Sequence, residues 1–256
     1  LEKRVLVKKG MDAIDQLAIT LNQMLDRIQK LVTGIKEMSD NIAHDLKSPV
    51  TRIRGIAEIS LTAGSSLTDY EGMAASTIEE CDRLLDMINT MLMISKTEAG
   101  VGQLDCRKID IAGLVRDACD LFQSAGEDKG LKLVCNPTEK FSIYGDMRLI
   151  QRMIANLLDN AIKYTPANGL IKVGIRFGDN QSIQISVKDT GIGISEQDLP
   201  HIFERFYRCD PSRSQAGTGL GLSFARAVAR AHNWDMTVTS TPDKGSTFTA
   251  IIAKGQ

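Results

Sequence analysis

His44 is the first residue in this sequence whose type and neighbours suggest chemistry. An imidazole is mostly neutral at pH 7, so one ring nitrogen carries a lone pair that can attack an electrophile. Asp45 could hold the proton of the other ring nitrogen, and in a helix Ser48 would lie one turn further along the same face. The alternative interpretation is a solvated surface histidine with no chemical role.

A second cluster lies on a predicted helix, where Asn156, Asn160 and Lys163 are spaced by four and three residues. That spacing places the three side chains on one face, opposite the apolar residues of the same helix. Two amide oxygens beside a lysine suit Mg²⁺ when phosphates supply the negative charge, and the ammonium suits those phosphates. The alternative is an ordinary polar helix face that carries two asparagines.

Two glycine clusters follow, at residues 189–193 after a predicted strand and at residues 217–221 before a predicted helix. Glycine lets the backbone approach a ligand closely, and amides at a helix N-terminus attract phosphate. Asp189 offers a carboxylate acceptor for an exocyclic amine such as that of adenine. Neither cluster fits the dinucleotide fingerprint or the Walker P-loop, and each alone could be a simple turn.

A basic segment between the glycine clusters, residues 203–216, is predicted to form a mobile lid over phosphates. Arg205 and Arg208 are its candidate phosphate clamps. Arg213 is better explained as a surface arginine of a solvated loop.

The first hundred residues must position His44, and their pattern predicts a helical hairpin. Apolar residues alternate at spacings of three and four from Ile14 to Ile42, which is typical of a coiled-coil seam. The register shifts at Asp45, and Pro49 predicts a bend at the same place. A break at residues 63–66 precedes a second helix, which ends near residue 99 and has apolar positions Ile78, Cys81, Leu85, Ile88 and Leu92. Two copies would bury both apolar stripes in a four-helix bundle, so we predict a homodimer.

The remainder of the chain alternates shorter elements. Helices are predicted at 111–125, 146–164 and 220–231, and strands at 131–134, 141–144, 170–177, 183–189, 236–240 and 246–253. The strand segments alternate polar and apolar residues, which favours a sheet covered by helices on one face. The sequence therefore predicts an α+β multidomain protein, in which a long helical hairpin precedes a layer-sandwich domain.

Composition excludes several classes of partner. The 31 Lys and Arg residues nearly balance the 32 Asp and Glu residues, so bulk charge predicts neither nucleic acid nor an anionic membrane surface as a partner. Five widely spaced cysteines without a C-x-x-C pair favour a reducing compartment. No apolar run approaches the roughly 20 residues of a membrane span. Because the chain starts at Leu1, we expect a piece of a longer protein.

Together and in this order, the motifs resemble those of the sensor histidine kinases of two-component signalling. Residues 43–50 look like the phosphoacceptor box of that family, and residues 156–164 look like its asparagine box. Residues 189–194 and 217–222 look like its two glycine boxes, with the phenylalanine box at 203–208 between them. Residues 10–30 are similar to the second helix of a HAMP linker, which normally follows a transmembrane segment.

The resemblance implies a fold and a location. A partial HAMP linker would occupy residues 1–32, a dimerisation and phosphotransfer hairpin 33–101, and a catalytic ATP-binding domain 102–256. The last domain would have the layer-sandwich fold shared by histidine kinases, gyrases and chaperones. The whole would be the cytoplasmic portion of a receptor in an inner or plasma membrane, connected to the membrane only through a missing upstream segment.

The resemblance also implies ATP and Mg²⁺ as ligands. Asp189 would contact adenine, Asn156 and Asn160 would hold Mg²⁺, and Tyr164 would lie near the nucleoside. Lys163 and the lid arginines Arg205 and Arg208 would contact phosphates. The other nucleotide contacts carried over from the family are Gly191, Gly193, Gly217, Thr218, Gly219, Leu220, Gly221 and Thr247.

In the mechanism implied by the family, His44 attacks the γ-phosphorus with Asp45 as base, and the phosphate then passes to an aspartate of a response regulator receiver domain. Whether His44 is phosphorylated within its own protomer or by its partner stays open. Ser48 stands where many relatives carry Thr or Asn to orient a water, so dephosphorylation of the regulator is also left open. A second departure is Asn233-Trp234, which replaces the usual glycine pair after His232.

Two alternatives compete with a histidine kinase. One is an ATPase that shares only the nucleotide-binding fold, and the hairpin that carries His44 argues against it. The other is a catalytically inactive dimeric scaffold, against which the intact His44, Asn160 and Asp189 argue.

Overall fold

The structure is a computed structural model. It describes residues 20–22, 24–26, 47, 49–59, 66–98, 104–136, 141–178, 181–209 and 218–253. The chain divides into two compact units, Leu1–Leu84 and Leu85–Gln256. The boundary between the units falls inside one long helix, α1 (Leu67–Glu98).

The first unit is helical in the segments that can be described. Residues 20–22, 24–26, 47 and 49–59 are helical, and Pro49 is buried within the last of these segments. Arg52 Nε lies 3.2 Å from Glu80 Oε1, so the 49–59 segment and α1 lie side by side, as the hairpin prediction requires. Most of the predicted seam from Ile14 to Ile42, and the register shift at Asp45, lie outside the described residues.

Helix α1 begins at a capping box. The Asp69 amide donates to Ser66 Oγ at 3.3 Å, and Asp69 Oδ2 accepts from the Ser66 amide at 2.8 Å. This reciprocal pair satisfies two backbone donors that the first turn of a helix leaves free. Within the described part of the chain, no helix combines the length and the apolar character needed to cross a bilayer.

The second unit contains the remaining elements. In chain order they are β1 (Cys106–Asp110), α2 (Ile111–Asp128), β2 (Lys132–Asn136), β3 (Ser142–Asp146), α3 (Met147–Tyr164), β4 (Leu170–Phe177), β5 (Ile183–Asp189), α4 (Gly221–Ala231), β6 (Asp235–Thr241) and β7 (Gly245–Ile252). The sequence pattern missed β1, because Ile109 is its only buried residue. This strand forms by antiparallel pairing with β3, where Ile109 lies opposite Ile143.

Five strands form one sheet in the order β2-β4-β5-β7-β6. The pair β2–β4 is parallel and the other neighbours are antiparallel. Burial alternates along β7, where Ser246, Phe248, Ala250 and Ile252 are buried. Helices α2, α3 and α4 contact β2, β5 and β6 of this sheet, which confirms the predicted α/β domain.

The three helices of this domain begin differently. Asp110 caps α2 by accepting from the Ala112 amide, and Asp146 caps α3 by accepting from the Arg148 and Leu149 amides. Helix α4 follows Leu220 and has no side-chain cap. Its first amides therefore remain available to an acceptor from outside the helix.

The end of α4 explains the departure at residues 233 and 234. Asn233 has φ +55°, and its amide donates to the Arg230 carbonyl at 3.0 Å. The Trp234 amide donates to the Ala229 carbonyl at 2.8 Å. These two bonds form a Schellman motif, which requires a left-handed residue at the position of Asn233. Asparagine tolerates that conformation, so it can replace glycine here. Trp234 follows it into the core, where its side chain is buried.

Candidate functional site

Asp189 is a buried carboxylate at the end of β5, and it is only 5% exposed. Its Oδ1 accepts from the Gly191 amide at 2.8 Å and from the Ser246 amide at 3.2 Å. Both bonds use the same oxygen, so Oδ2 has no hydrogen-bond partner among the described residues. Burial raises the pKa of Asp189, and the amides of Gly191, Ser246 and Asp189 itself oppose that shift. The result is a fixed carboxylate with one oxygen left to accept from a ligand.

Two glycines hold the backbone around this carboxylate. A Cβ on Gly191 would lie 2.5 Å from the Tyr164 carbonyl oxygen. Gly245 has φ +93°, and a Cβ there would lie 2.1 Å from the Asp189 carbonyl oxygen. Neither position has room for a side chain, so the turn at residues 189–193, here called the glycine turn, and the β6–β7 turn can both approach Asp189 closely.

The C-terminal end of α3 lies against the same turn. The Tyr164 carbonyl accepts from the Ile192 amide at 3.2 Å, which joins α3 to the glycine turn. Lys129 Nζ donates to the carbonyls of Ile162 and Lys163, both at 2.7 Å, and so caps the helix. Lys163 Nζ lies 5.0 Å from the centroid of the Tyr164 ring. The backbone of Lys163 and Tyr164 is therefore fixed beside the turn that follows Asp189.

Asn156 and Asn160 lie on consecutive turns of α3, and both are half-buried. A Cβ on Gly221 would come within 3.6 Å of Asn156 Oδ1 and of Asn160 Nδ2. That is ordinary van der Waals distance, so the first turn of α4 packs directly beside both amides. Neither side chain hydrogen-bonds within the described residues. Asn156 presents its Oδ1 toward the uncapped start of α4, and an amide oxygen in that place fits a Mg²⁺ ion that is carried by phosphates; Asn160 presents its Nδ2 there and would turn its amide to offer an oxygen.

The start of the predicted lid is packed rather than free. Phe203 makes an edge contact with Phe248, with ring centroids 6.4 Å apart. The Tyr207 hydroxyl donates to Asp198 Oδ1 at 2.6 Å, which raises the pKa of Tyr207 to about 12. The Phe206 amide donates to the Gly219 carbonyl at 3.0 Å, which connects the phenylalanine box to the second glycine box. Arg205 and Arg208 are half-buried on this packed segment.

The structure brings several of the predicted residues together and leaves others undescribed. Asp189 and Gly191 lie beside Tyr164 at the end of α3. Asn156 and Asn160, two turns and one turn earlier on α3, lie beside Gly221 of α4. The described residues include Gly193, Thr218, Gly219 and Leu220 of the two glycine boxes. His44, Asp45, Ser48, Arg213 and Gly217 lie outside the described residues.

The sequence prediction named Thr247 but missed its neighbours Gly245 and Ser246. Ser246 is the residue whose amide donates to Asp189, and Ser246 and Phe248 are buried while Thr247 is half-buried. Side chains alternate along a strand, so Thr247 points to the face opposite Ser246. The Gly-Ser pair at a predicted strand start was the available signal. The role of Thr247 stays a prediction.

Family comparisons agree with this geometry. The model of the family described as "Histidine kinase-, DNA gyrase B-, and HSP90-like ATPase" matches residues 145–256. The model described as "His Kinase A (phospho-acceptor) domain" matches residues 34–100. The second match contains His44, and the first contains Asn156, Asn160 and Asp189.

Curated relatives include the sensor histidine kinase CusS of Escherichia coli K12, which is 31% identical over 93% of this chain and 50% of its own length. The sensor-like histidine kinase SenX3 of Mycolicibacterium smegmatis is 34% identical over 83% of this chain and 56% of its own length. The chain thus spans about half the length of the curated relatives it matches.

Solved structures share the fold. The histidine kinase AdeS of Acinetobacter baumannii superposes with a TM-score of 0.67 at 21% identity, over 83% of this chain and 98% of that one. The histidine kinase ThkA, solved in complex with the response regulator protein TrrA, also gives 0.67 at 22% identity, over 88% of this chain and 64% of that one. With a phospho-acceptor domain followed by a kinase-type ATPase domain, the chain belongs to the sensor histidine kinases, as the order of its motifs predicted.

Proposed function

We propose that this protein transfers the γ-phosphoryl group of ATP to His44 and then to an aspartate of a response regulator receiver domain. The observation that carries the proposal is the Asp189 carboxylate. Two backbone amides hold its Oδ1 and leave Oδ2 free, in a unit that also presents Asn156 and Asn160. An acceptor fixed in this way suits the exocyclic amine of adenine.

The charges and donors of this unit support nucleotide binding. Asp189 Oδ2 accepts from adenine, while Lys163, Arg205 and Arg208 contact phosphate oxygens. The uncapped amides at the start of α4 offer further donors to phosphate. Asn156 and Asn160 would hold Mg²⁺, which would neutralise part of the negative charge of the phosphates.

Phosphoryl transfer needs a positioned nucleophile more than covalent machinery. A ring nitrogen of His44 attacks the γ-phosphorus, the bond from that phosphorus to the bridging oxygen breaks, and ADP leaves. Asp45 holds or accepts the proton of the imidazole. In the second step an aspartate carboxylate of the regulator attacks the phosphorus and the phosphorus–nitrogen bond breaks. Ser48 would orient a water for regulator dephosphorylation if that activity is present.

A second copy of this chain is the proposed partner of α1. Its apolar residues Ile78, Leu85, Ile88 and Leu92 are between 42% and 61% exposed, and Cys81 is exposed with them. Their spacings of three, four and seven place them on one stripe of the helix. We name this stripe, residues 78, 81, 85, 88 and 92, the α1 seam. A four-helix bundle formed by two hairpins would bury it.

Light scattering on the purified chain tests the dimer. The wild-type chain should have the mass of a dimer at micromolar concentration, and Leu85→Glu with Leu92→Glu should be monomeric. Asn89→Glu is the matched control, because residue 89 is exposed on the same helix but outside the α1 seam. A monomeric wild-type chain would refute the proposed dimer.

We also propose the domain boundaries 1–32, 33–101 and 102–256, with the first segment the end of a HAMP linker. The cytoplasmic portion of a membrane receptor is the proposed location. The resemblance of residues 10–30 to a HAMP helix supports both proposals, and the length of the curated relatives leaves room for a sensor.

Incubation with γ-labelled ATP and Mg²⁺ tests the kinase proposal. We expect label on the protein that is labile to acid and stable to alkali, as for phosphohistidine. The label should be lost in His44→Ala and Asn160→Ala and retained in the control His201→Gln, which changes an exposed histidine. Labelled free phosphate without labelled protein would favour a simple ATPase. The absence of both labelled protein and labelled free phosphate would favour an inactive scaffold.

A further inference from the structure

Arg152 joins three helices at one guanidinium. It projects from α3, and its Nη2 donates to Asp86 Oδ1 at 2.8 Å and also to Thr90 Oγ1, both on α1. Its Cζ lies 4.9 Å from the centroid of the Phe224 ring on α4. The α1 residues belong to the same compact unit as α3 and α4, because that unit begins at Leu85.

The α1 side of this contact is ordered by its own bonds. Thr90 is buried, and its hydroxyl donates to the Asp86 carbonyl at 2.7 Å. The hydroxyl oxygen therefore presents its acceptor side to Arg152. Asp86 is 74% exposed and Arg152 is 31% exposed, so the ion pair itself adds little to stability. The contact is more suited to fixing a position than to holding the domain together.

The α4 side of the contact leads to the nucleotide site. Phe224 is fully buried, and its amide donates to the Leu220 carbonyl at 2.8 Å, which closes the first turn of α4. Gly221, which faces the two asparagines, lies in that same turn. Along α3, Arg152 lies one turn before Asn156 and two turns before Asn160, on the same face. Arg152 and the two asparagines thus occupy consecutive positions along the α3–α4 contact.

We infer that Arg152 is a positioning residue that couples the C-terminal part of α1 to the nucleotide site through Phe224 and the first turn of α4. Asp86 and Thr90 hold the guanidinium over the Phe224 ring, so a displacement of α1 displaces the support of that turn. By linkage, a nucleotide that orders the first turn of α4 strengthens the contact of Arg152 with α1 to the same degree. The inference rests on the proposed function only for the identity of the ligand.

The test compares Arg152→Met, Asp86→Asn and the double variant with two matched controls. Arg148→Met removes an exposed arginine one turn earlier on α3, and Asp82→Asn removes an exposed aspartate one turn earlier on α1. The affinity for the Mg²⁺ complex of a non-hydrolysable ATP analogue is measured by calorimetry. Arg152→Met should weaken it by about fivefold, the lower end of typical coupling. Asp86→Asn should act in the same direction, and the double variant should match Arg152→Met alone.

Hydrogen exchange without nucleotide supplies a readout that does not need ATP binding. The Phe224 amide, which donates to the Leu220 carbonyl, and the helical amides that follow it should exchange faster in Arg152→Met and Asp86→Asn than in the wild type and the controls, while urea midpoints stay alike. Equal exchange in all variants, or affinity losses that add in the double variant, would overturn the inference. A wild-type chain that binds no nucleotide would refute the proposed function, and the exchange data would still decide the role of Arg152.

Discussion

The sharpest test of the nucleotide site is Asp189→Asn. The Gly191 and Ser246 amides both donate to Oδ1, at 2.8 and 3.2 Å. An asparagine must keep its oxygen toward those two donors, so its NH₂ group takes the position of Oδ2. The substitution therefore preserves the local hydrogen bonds and replaces the outward-facing acceptor with a donor. Adenine, which presents a donor amine, then meets a donor.

The magnitude follows from the bond that is lost. A hydrogen bond to a charged group contributes about 1.5–3 kcal/mol. Since about 1.4 kcal/mol corresponds to a factor of ten in affinity, ATP should bind between roughly ten- and roughly a hundredfold more weakly. Inosine triphosphate carries an oxygen acceptor in place of the amine, so its affinity should rise in the same variant. The preference for ATP over inosine triphosphate should thus fall by more than the ATP affinity.

Calorimetric titration of both nucleotides into the wild type, Asp189→Asn and the control Asp117→Asn measures this preference. Asp117 is an exposed aspartate on α2, so its variant controls for the loss of one negative charge. The buried Trp234 is the only tryptophan of the chain, and its emission checks that the domain stays folded. An unchanged ratio of the two affinities in a folded Asp189→Asn variant would refute the assignment of Asp189 to adenine.

Two further predictions concern the end of α4. His232 Nδ1 donates to the Val228 carbonyl and Nε2 accepts from the Asp146 amide, so the ring is neutral. Burial lowers the pKa of His232, although the bond to Val228 and the charge of Asp146 oppose this. The unfolded chain therefore takes up this proton first as pH falls. The free energy of unfolding, measured with urea, should decrease below about pH 6.5 by at most about 1.4 kcal/mol per pH unit for one proton. The decrease should be less steep in His232→Gln. At Asn233, with φ +55°, the change to Ala should cost about 1 kcal/mol and the change to Gly much less, measured by urea unfolding followed through Trp234 emission. Equal losses in both variants would contradict the role of the left-handed conformation.

The sequence alone determined the order of the elements from α2 onward, though not β1, and most of the residue types of the site. Spacings of four and three on a helix are local, so they place Asn156, Asn160 and Lys163 on one face whatever the rest of the chain does. Strand alternation likewise located β4 and β5 at Leu170–Phe177 and Ile183–Asp189, because side-chain direction follows the backbone. The spacing of the α1 seam was equally visible.

Tertiary structure decided which atoms face each other. β1 exists because Ile109 pairs with Ile143, a contact that no local pattern encodes. Ser246 lies 57 residues after Asp189 and contacts it because the β6–β7 turn returns to the end of β5. The Ser246 amide donates to Oδ1 and not to Oδ2, so the two carboxylate oxygens have different surroundings. In the sequence Arg152 is one polar residue of α3 among others, and only the fold brings α1 and α4 to its guanidinium. Local periodicity fixes the face on which a side chain lies, whereas its partner depends on contacts between distant segments of the folded chain.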